Sequence, residues 1–327
     1  MKITKLSLIA LLSSASMLFA QSNEDRSRAQ RIDSTNRGQG VPQTGNSSNS
    51  GSASVAKSDT GAQRPVKLNK SGISTYLGYD VKMVYRSNPL ASAGKLKQLA
   101  TGVWTHTFFG GAGLGVFDFG DSVVTPYIGG SWTSNEYTET NLQGFDYYST
   151  GAYAVLLAQY SNGWSARAGV SYASDRSAKY KTEDYSEIYP SVGIMKAYSI
   201  SSDTTAIFDA SLGKHDAESF VLPFNGATND QLSNWDASLS YGLRHKYGKL
   251  TLSPKVSTTY KMYDDGLNKD RDDWVNSASL IIDYPLVSDV KASLLATYTN
   301  RDSSGTDQNY DYKSWDGGIG INVSTRF

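Results

Sequence analysis

Side chains between Trp235 and Met262 alternate between apolar and polar types in steps of two, and no other feature constrains the fold as strongly. One set of positions is apolar or aromatic: Trp235, Ala237, Leu239, Tyr241, Leu243, Tyr247, Leu250, Leu252, Val256, Tyr260 and Met262. Successive side chains of a β-strand point to opposite faces, so the pattern predicts two strands with one apolar and one polar face each. The segment "KYGK" between them predicts a tight turn.

The same alternation recurs along the chain and predicts twelve strands. Their expected ranges are 72–86, 97–117, 122–136, 146–160, 163–174, 185–199, 203–216, 233–247, 249–263, 272–284, 288–300 and 312–327. The second range is long and rich in glycine, which leaves open whether it forms one strand or two. Pro190 and Pro254 fall inside predicted strands, where each is expected at a bulge or a strand end.

Connections between these strands alternate in length. Those after even-numbered strands are short, whereas those after odd-numbered strands are longer and polar. Tight turns at one end and larger loops at the other, with an even strand count, are typical of a transmembrane β-barrel. The apolar face carries Trp and Tyr near the strand ends, as in an aromatic girdle around a lipid-facing band. The other face is too polar and too small to form a dry core. The predicted fold class is therefore all-β, a transmembrane antiparallel β-barrel of about 12 strands with a disordered N-terminal segment.

The closing strand supports this class. Ile319, Ile321, Val323 and the terminal Phe327 alternate as one apolar row. The row resembles the C-terminal insertion signal of bacterial outer-membrane β-barrel proteins. The resemblance covers the strands from residue 72 to residue 327 and identifies the class rather than a particular family. It implies residence in the bacterial outer membrane, contact with outer-membrane lipid, and recognition by the barrel-assembly machinery.

The N-terminus divides into two further parts. Lys2 and Lys5 precede an apolar run and small residues up to Ala20, which predicts a secretory signal peptide over residues 1–20. Residues 21–68 are rich in Ser, Asn and Gly, contain no aromatic residue, and are predicted to be a disordered periplasmic segment. The chain has no cysteine, so neither disulfides nor a cysteine-linked lipid anchor is expected. Residues 69–327 form the predicted barrel.

The polar strand face is the predicted pore lining. Its charged members are Asp80, Lys82, Arg167, Asp209, Asp236, Arg244, Lys246, Lys255, Lys261, Asp283, Lys291 and Asp316, together with Arg86 and Arg326. Basic residues outnumber acidic ones in this set, which favours weak anion selectivity. Glu187 and Asp273 belong by contrast to a group of acidic residues predicted in the outward loops. The alternative is that the interior charges pair and close the lumen, because a barrel of this size is narrow.

These patterns predict a passive channel for small solutes with a preference for anions or saccharides. The first alternative is a non-conducting barrel that anchors or assists export of a surface polymer or protein, with a periplasmic partner bound through residues 21–68. The second is an outer-membrane hydrolase that uses His215 and Asp216 with acidic pairs at 264–265 and 272–273. No enzyme activity, cofactor or metal is expected from the remaining motifs. A formal net charge of zero gives no argument for nucleic acid.

Overall fold

A computed structural model describes residues 73–89, 100–219, 229–305 and 310–326. The predicted signal peptide, the segment 21–68 and Phe327 lie outside these residues. Within them, the chain forms twelve long antiparallel strands and one two-residue strand. The strands are β1 (Ser74–Arg86), β2 (Thr101–Gly113), β3 (Phe117–Asp118), β4 (Ser122–Tyr137), β5 (Tyr147–Tyr160), β6 (Trp164–Ser177), β7 (Glu183–Ser199), β8 (Thr204–Ser219), β9 (Asn234–Tyr247), β10 (Leu250–Tyr263), β11 (Asp272–Val287), β12 (Val290–Ser304) and β13 (Tyr312–Arg326). Short 3-10 helices occupy Thr140–Phe145 and Gly266–Asn268.

Each long strand pairs with the next along the chain, and β1 pairs with β13, so the sheet closes on itself. The closing ladder runs from Tyr76 opposite Arg326 to Arg86 opposite Asp316. β3 stands aside from the barrel wall, because β2 pairs directly with β4 and β3 pairs only with Val123 and Val124. The predicted twelve-strand antiparallel barrel is confirmed, and the second predicted range forms one long strand followed by a short one.

The two ends of the barrel differ. We call the end with connections 161–163, 200–203, 248–249 and 288–289 the turn end, and the opposite end the loop end. The connection from β6 to β7 is shorter than predicted, because β6 extends to Ser177 and β7 begins at Glu183. No helix among the described residues is long and apolar enough to cross a membrane.

Pro190 and Pro254 each interrupt a ladder without shifting its register. The ladder between β7 and β8 skips Pro190, the ladder between β9 and β10 skips Pro254, and the register is unchanged on either side. The expectation of a bulge or a strand end at these positions is therefore wrong. Proline has no N–H to donate, so it costs a ladder bond, but the strand continues through its other neighbour.

The outer face of the barrel is apolar and exposed. Its middle carries aliphatic side chains such as Ile128, Leu156, Val192, Leu239 and Ile319, each more than 40% exposed. Aromatic residues border this band at both ends. Toward the loop end they include Trp104, Tyr172, Trp235, Trp274 and Trp315, and toward the turn end Tyr160, Tyr198, Tyr241, Tyr247 and Tyr284. A closed barrel satisfies every ladder within the wall, and this outer surface suits lipid rather than water. The chain is thus an outer-membrane β-barrel.

Candidate functional site

The interior wall is the candidate site, because the alternation that turns apolar side chains outward turns the polar ones inward. The predicted pore-lining residues whose side chains the structure describes occupy inward positions of their strands, and that they line an open pore stays a prediction. The cross-strand partners confirm a shared face: Lys261 pairs with Asp236 on one side and Asp273 on the other, and Asp80 pairs with Asn322. Their environments differ along the barrel axis, since interior residues are buried near the loop end and more exposed near the turn end.

Several of the predicted residues form local ion pairs. Arg167 on β6 makes a two-pronged contact with Asp209 on β8, with a second hydrogen bond of 3.0 Å from Nη2 to Oδ1. This guanidinium passes over Gly193 on the strand between them, where a β-carbon would collide with it.

Two further pairs are equally local. Lys82 Nζ lies 2.6 Å from Asp80 Oδ2, and Lys291 Nζ lies 3.4 Å from Asp283 Oδ2. Charges in these three pairs therefore neutralise one another along the wall rather than by bridging the lumen.

Three basic residues form what we call the basic wall: Arg244 and Lys246 on β9 and Lys255 on β10. Lys246 and Lys255 are exposed, and Arg244 is half-buried. No ion pair within 4.0 Å joins Arg244 or Lys246 to another described residue. Since their positive charge is not neutralised locally, this part of the interior attracts anions.

Toward the loop end the interior side chains pack into a buried set that we call the loop-end layer. Its members are Tyr185, Glu187, Tyr189, His215, Asp236, Lys261, Tyr263, Arg271, Asp273, Arg301, Tyr310 and Tyr312. Buried charges are tolerated only where they are paired and hydrogen-bonded. The layer meets this condition through two clusters, one around Arg271 and one around His215.

The Arg271 cluster is held by the connection 264–271, which folds toward the interior. The Arg271 guanidinium donates from Nε to Asp273 Oδ1 at 2.8 Å and from Nη2 to Oδ2 of the same carboxylate. It also lies over the rings of Tyr263 and Tyr310, at 4.4 and 3.9 Å from their centroids. Burial alone would lower the pKa of Arg271, but Tyr263 and Asp273 outweigh burial and raise it, so the guanidinium stays charged.

Arg301 approaches the same carboxylate from β12. Its Nη1 lies 3.8 Å from Asp273 Oδ2, and its Nε donates to the carbonyl oxygen of Tyr310 at 2.8 Å. The guanidinium also covers the ring of Tyr312 at 4.5 Å. Asp273 is therefore the shared anion of two buried cations.

The His215 cluster lies on β7, β8 and β9. His215 Nδ1 is hydrogen-bonded to Glu187 Oε2 at 2.7 Å, and its Nε2 lies 3.7 Å from Asp236 Oδ1. Tyr185 donates to Glu187 Oε2 at 2.7 Å, and Tyr189 donates to Asp236 Oδ1 at 2.9 Å. The Tyr189 ring also stacks on the imidazole, with centroids 4.2 Å apart. The arrangement holds two carboxylates around one imidazole in a dry environment.

Apolar side chains from the described connections also pack at the loop end. Leu142, in the 3-10 helix Thr140–Phe145, packs with Val103, Tyr137 and Tyr147. On another side, Leu232 packs with Ala173, Tyr185 and Ala217. The connections thus contribute side chains to the interior of the barrel as well as spanning its rim.

The structure corrects the predicted location of two acidic residues. Glu187 and Asp273 were predicted in outward loops, but they lie in β7 and β11 on the inward face and are at most 2% exposed. For Glu187 the signal was present, because Tyr185, Glu187 and Tyr189 alternate within the range 185–199 that the sequence predicts as a strand. Arg271 and Arg301 carry no such signal, since their burial depends on how the connections fold.

The predicted insertion residues divide between described and undescribed parts of the chain. Ile319, Ile321 and Val323 lie on the lipid-facing side of β13, at least 40% exposed. Phe327 lies outside the described residues, so its role stays a prediction. Among the described residues, no group of three or more His, Asp or Glu side chains is placed to hold a metal ion.

No protein-family model and no curated protein matches the chain. Among solved structures, the chain is similar to an outer-membrane channel from Pseudomonas putida F1, with 8% identity and a TM-score of 0.47, covering 81% of this chain and 100% of that one. It is also similar to the beta domain of the Bordetella autotransporter BrkA (11% identity, TM-score 0.43, covering 77% and 99%) and to the porin NanC (11% identity, TM-score 0.42, covering 75% and 98%). With TM-scores below 0.5, these likenesses carry no argument about what the interior does.

Proposed function

We propose that the barrel is a passive channel for small solutes, with a weak preference for anions or saccharides. The observation that carries this proposal is the half of the interior next to the turn end, where polar side chains are partly exposed and no ion pair within 4.0 Å joins Arg244 or Lys246 to another described residue. Twelve strands about 4.8 Å apart and tilted by about 40° give a barrel about 24 Å across between backbones. Two layers of side chains leave roughly 14 Å of free width, enough for a small hydrated solute.

The loop-end layer is the constriction of this channel. Its residues are buried, so water and solute pass there only through gaps between packed side chains or after the connections move. This supports a narrow, size-limited channel rather than a wide pore. If the start of β1, the end of β13 and the tight turns lie on the periplasmic side, as is typical of outer-membrane barrels, the constriction faces the outside of the cell.

Conductance tests the proposal. The mature chain, residues 21–327, is refolded and inserted into planar bilayers under a KCl gradient. We expect stable openings and a reversal potential shifted toward that of chloride. The double variant Lys246→Gln/Lys255→Gln is expected to abolish the shift. Lys196→Gln serves as the matched control, since Lys196 projects from the outer face over the Trp164 ring at 5.0 Å. Absence of openings in the wild type overturns the proposal.

The main alternative is a non-conducting barrel that anchors or assists export of a surface polymer or protein. The buried loop-end layer favours it, because a packed interior is compatible with a plugged barrel. In that case residues 21–68 would bind a periplasmic partner, and a protein that co-purifies only when those residues are present would support it. We propose in either case that residues 319–327 are read by the barrel-assembly machinery and that the outer face contacts outer-membrane lipid.

A hydrolase is not proposed. His215 is 2% exposed, and the carboxylates beside it, Glu187 and Asp236, are equally buried. A general base must come within hydrogen-bond reach of the substrate or an attacking water. This imidazole is instead enclosed by Tyr189 and the two carboxylates, which suits a structural role.

A further inference from the structure

Four aromatic side chains form a continuous patch on the interior of four adjacent strands. We call this patch, consisting of Tyr76, Phe109, Tyr127 and Tyr153, the aromatic wall. It spans β1, β2, β4 and β5, which are neighbours in the sheet. All four side chains are half-buried, so each keeps part of its ring accessible from the lumen. Elsewhere on the inward face, aromatic residues such as Tyr185 and Tyr312 are buried in the loop-end layer.

Glycines on the neighbouring strands let these rings lie against the wall. The Phe109 ring occupies the place of a side chain at Gly78, and the Tyr76 ring does the same at Gly111. Tyr153 covers Gly129 in the same way. A ring that lies along the wall presents its flat face to the lumen instead of blocking it. The glycines therefore allow a broad apolar platform to form on this part of the interior.

Contacts between the rings join the platform together. The centroids of Tyr76 and Phe109 are 6.4 Å apart with the planes tilted by 47°. The hydroxyl groups of Tyr76 and Tyr153 are hydrogen-bonded to each other across the two intervening strands. Rings fixed in this way lose little entropy when a ligand stacks on them, which favours binding.

The basic wall lies on the opposite side of the barrel. In the closed order of twelve long strands, β9 and β10 stand six strands from β2 and β4. Arg244, Lys246 and Lys255 therefore face Phe109 and Tyr127 across the lumen. The free width of roughly 14 Å estimated from strand spacing and tilt accommodates a ring-shaped solute between the two walls.

We propose that the turn half of the interior binds acidic saccharides, with the apolar face of a sugar ring on the aromatic wall and its carboxylate toward the basic wall. This rests on the proposed function, whose solute class it specifies. Aromatic rings offer flat apolar area, and cations lower the energy of a carboxylate in a narrow lumen. Saccharides fit better than aromatic carboxylates because both walls carry hydroxyl groups, those of Tyr76 and Tyr153 in the aromatic wall and those of Ser257 and Ser277 beside the basic wall. Sugar hydroxyls find partners there that an aromatic acid would leave unused.

Calorimetry with the detergent-solubilised mature chain tests the proposal without requiring conduction. The probes are a trisaccharide of uronic acid, a neutral trisaccharide of the same size, and benzoate. We expect the acidic trisaccharide to bind at least ten times more tightly than either of the others. Equal affinity for the acidic and neutral sugars overturns the role of the basic wall, and tighter binding of benzoate overturns the saccharide class.

Adjacent residues on opposite faces provide matched variants. Phe109→Leu removes a ring of the aromatic wall, whereas Phe108→Leu removes a ring from the lipid-facing side of the same strand. We expect the first to weaken binding of the acidic trisaccharide about tenfold and the second to leave it unchanged. Lys255→Gln and Lys196→Gln form the corresponding pair for charge. If Phe109→Leu fails to form the heat-modifiable barrel on gels, Tyr127→Leu replaces it. Unchanged affinity in both members of each pair overturns the site.

The experiments distinguish failure of the proposed channel from failure of the proposed saccharide site. Openings without binding of the acidic trisaccharide leave the channel in place and overturn only the saccharide site. Binding without openings overturns the channel and retains the site, as in a barrel that captures a polymer at the periplasmic side.

Discussion

Asp273 illustrates how a single residue organises the loop end. Its carboxylate accepts hydrogen bonds from Arg271 and lies 3.8 Å from Arg301, and all three side chains are at most 1% exposed. Two buried guanidinium groups share one anion, and the rings of Tyr263, Tyr310 and Tyr312 cover their faces. Charges withdrawn from water in this way are stable only while every partner is present.

The variant Asp273→Asn tests this arrangement. The amide keeps the shape of the side chain but removes the charge that two buried cations face. We expect the free energy of unfolding to fall by about 3–5 kcal/mol, measured by urea titration in lipid vesicles with tryptophan fluorescence. Asp302→Asn, at an exposed position of the same end, is expected to change it by less than about 0.5 kcal/mol. Equal urea midpoints for both variants would show that the cluster contributes no stability.

At this scale the sequence predicts orientation better than environment. The inward direction of Asp80, Arg167 and Lys261 follows from counting in twos along a strand. Whether such a residue is solvated or buried depends on what packs above it. Lys261 is 3% exposed because side chains from connections and other strands cover it, and no local pattern carries that information.

At the scale of the strand, alternation decides both position and face. The predicted ranges for β9, β10 and β13 agree with the structure to within one residue at each end. Boundaries at the loop end are less accurate, as for β8 and β12, which run three and four residues beyond their predicted ends. There the strands leave the lipid and their outward residues become polar, so the apolar row that marks the strand disappears.

Substitutions at two neighbouring positions of β9 test which face of the strand contacts lipid. Leu239 is 46% exposed on the outer face near the middle of the strand, and Ser240 points inward opposite Ser257 and Asp209. Leu239→Lys places a charge in lipid and is expected to destabilise the folded barrel in vesicles by about 2–4 kcal/mol. Ser240→Lys places the same charge in the lumen beside a carboxylate and is expected to cost little. Similar losses in both variants would contradict the lipid-facing assignment.

At the scale of the whole molecule, the barrel has no free edge along β1, because that strand pairs with both β2 and β13. Fold class and strand order could be predicted from the even strand count and the alternating connection lengths. The packing at the loop end could not, since it arises from contacts such as Leu142 with Val103 and Leu232 with Tyr185. Such contacts join segments that no repeating pattern relates.

Removing the closing strand tests the integrity of the whole barrel. A chain ending at residue 311 leaves β1 and β12 with unpaired edges in lipid, where each unsatisfied backbone group costs several kcal/mol. We expect this chain to form no heat-modifiable species on gels and to be digested by protease in vesicles. A chain lacking residues 21–68 is the control and is expected to fold as the mature protein does. A protease-resistant truncated barrel would refute the requirement for closure.

The pairing of β1 with β13 also affects when the barrel can close during synthesis and export. β1 is made before β13, so it finds its second partner only after β13 has also been made and exported. Until then at least one strand carries a row of open hydrogen-bonding groups, a template for pairing with other chains. Long-range pairing of this kind is slow. The interval between export and closure is therefore the period in which the chain most needs a chaperone. A longer interval gives more time for aggregation, so less of the protein reaches the membrane.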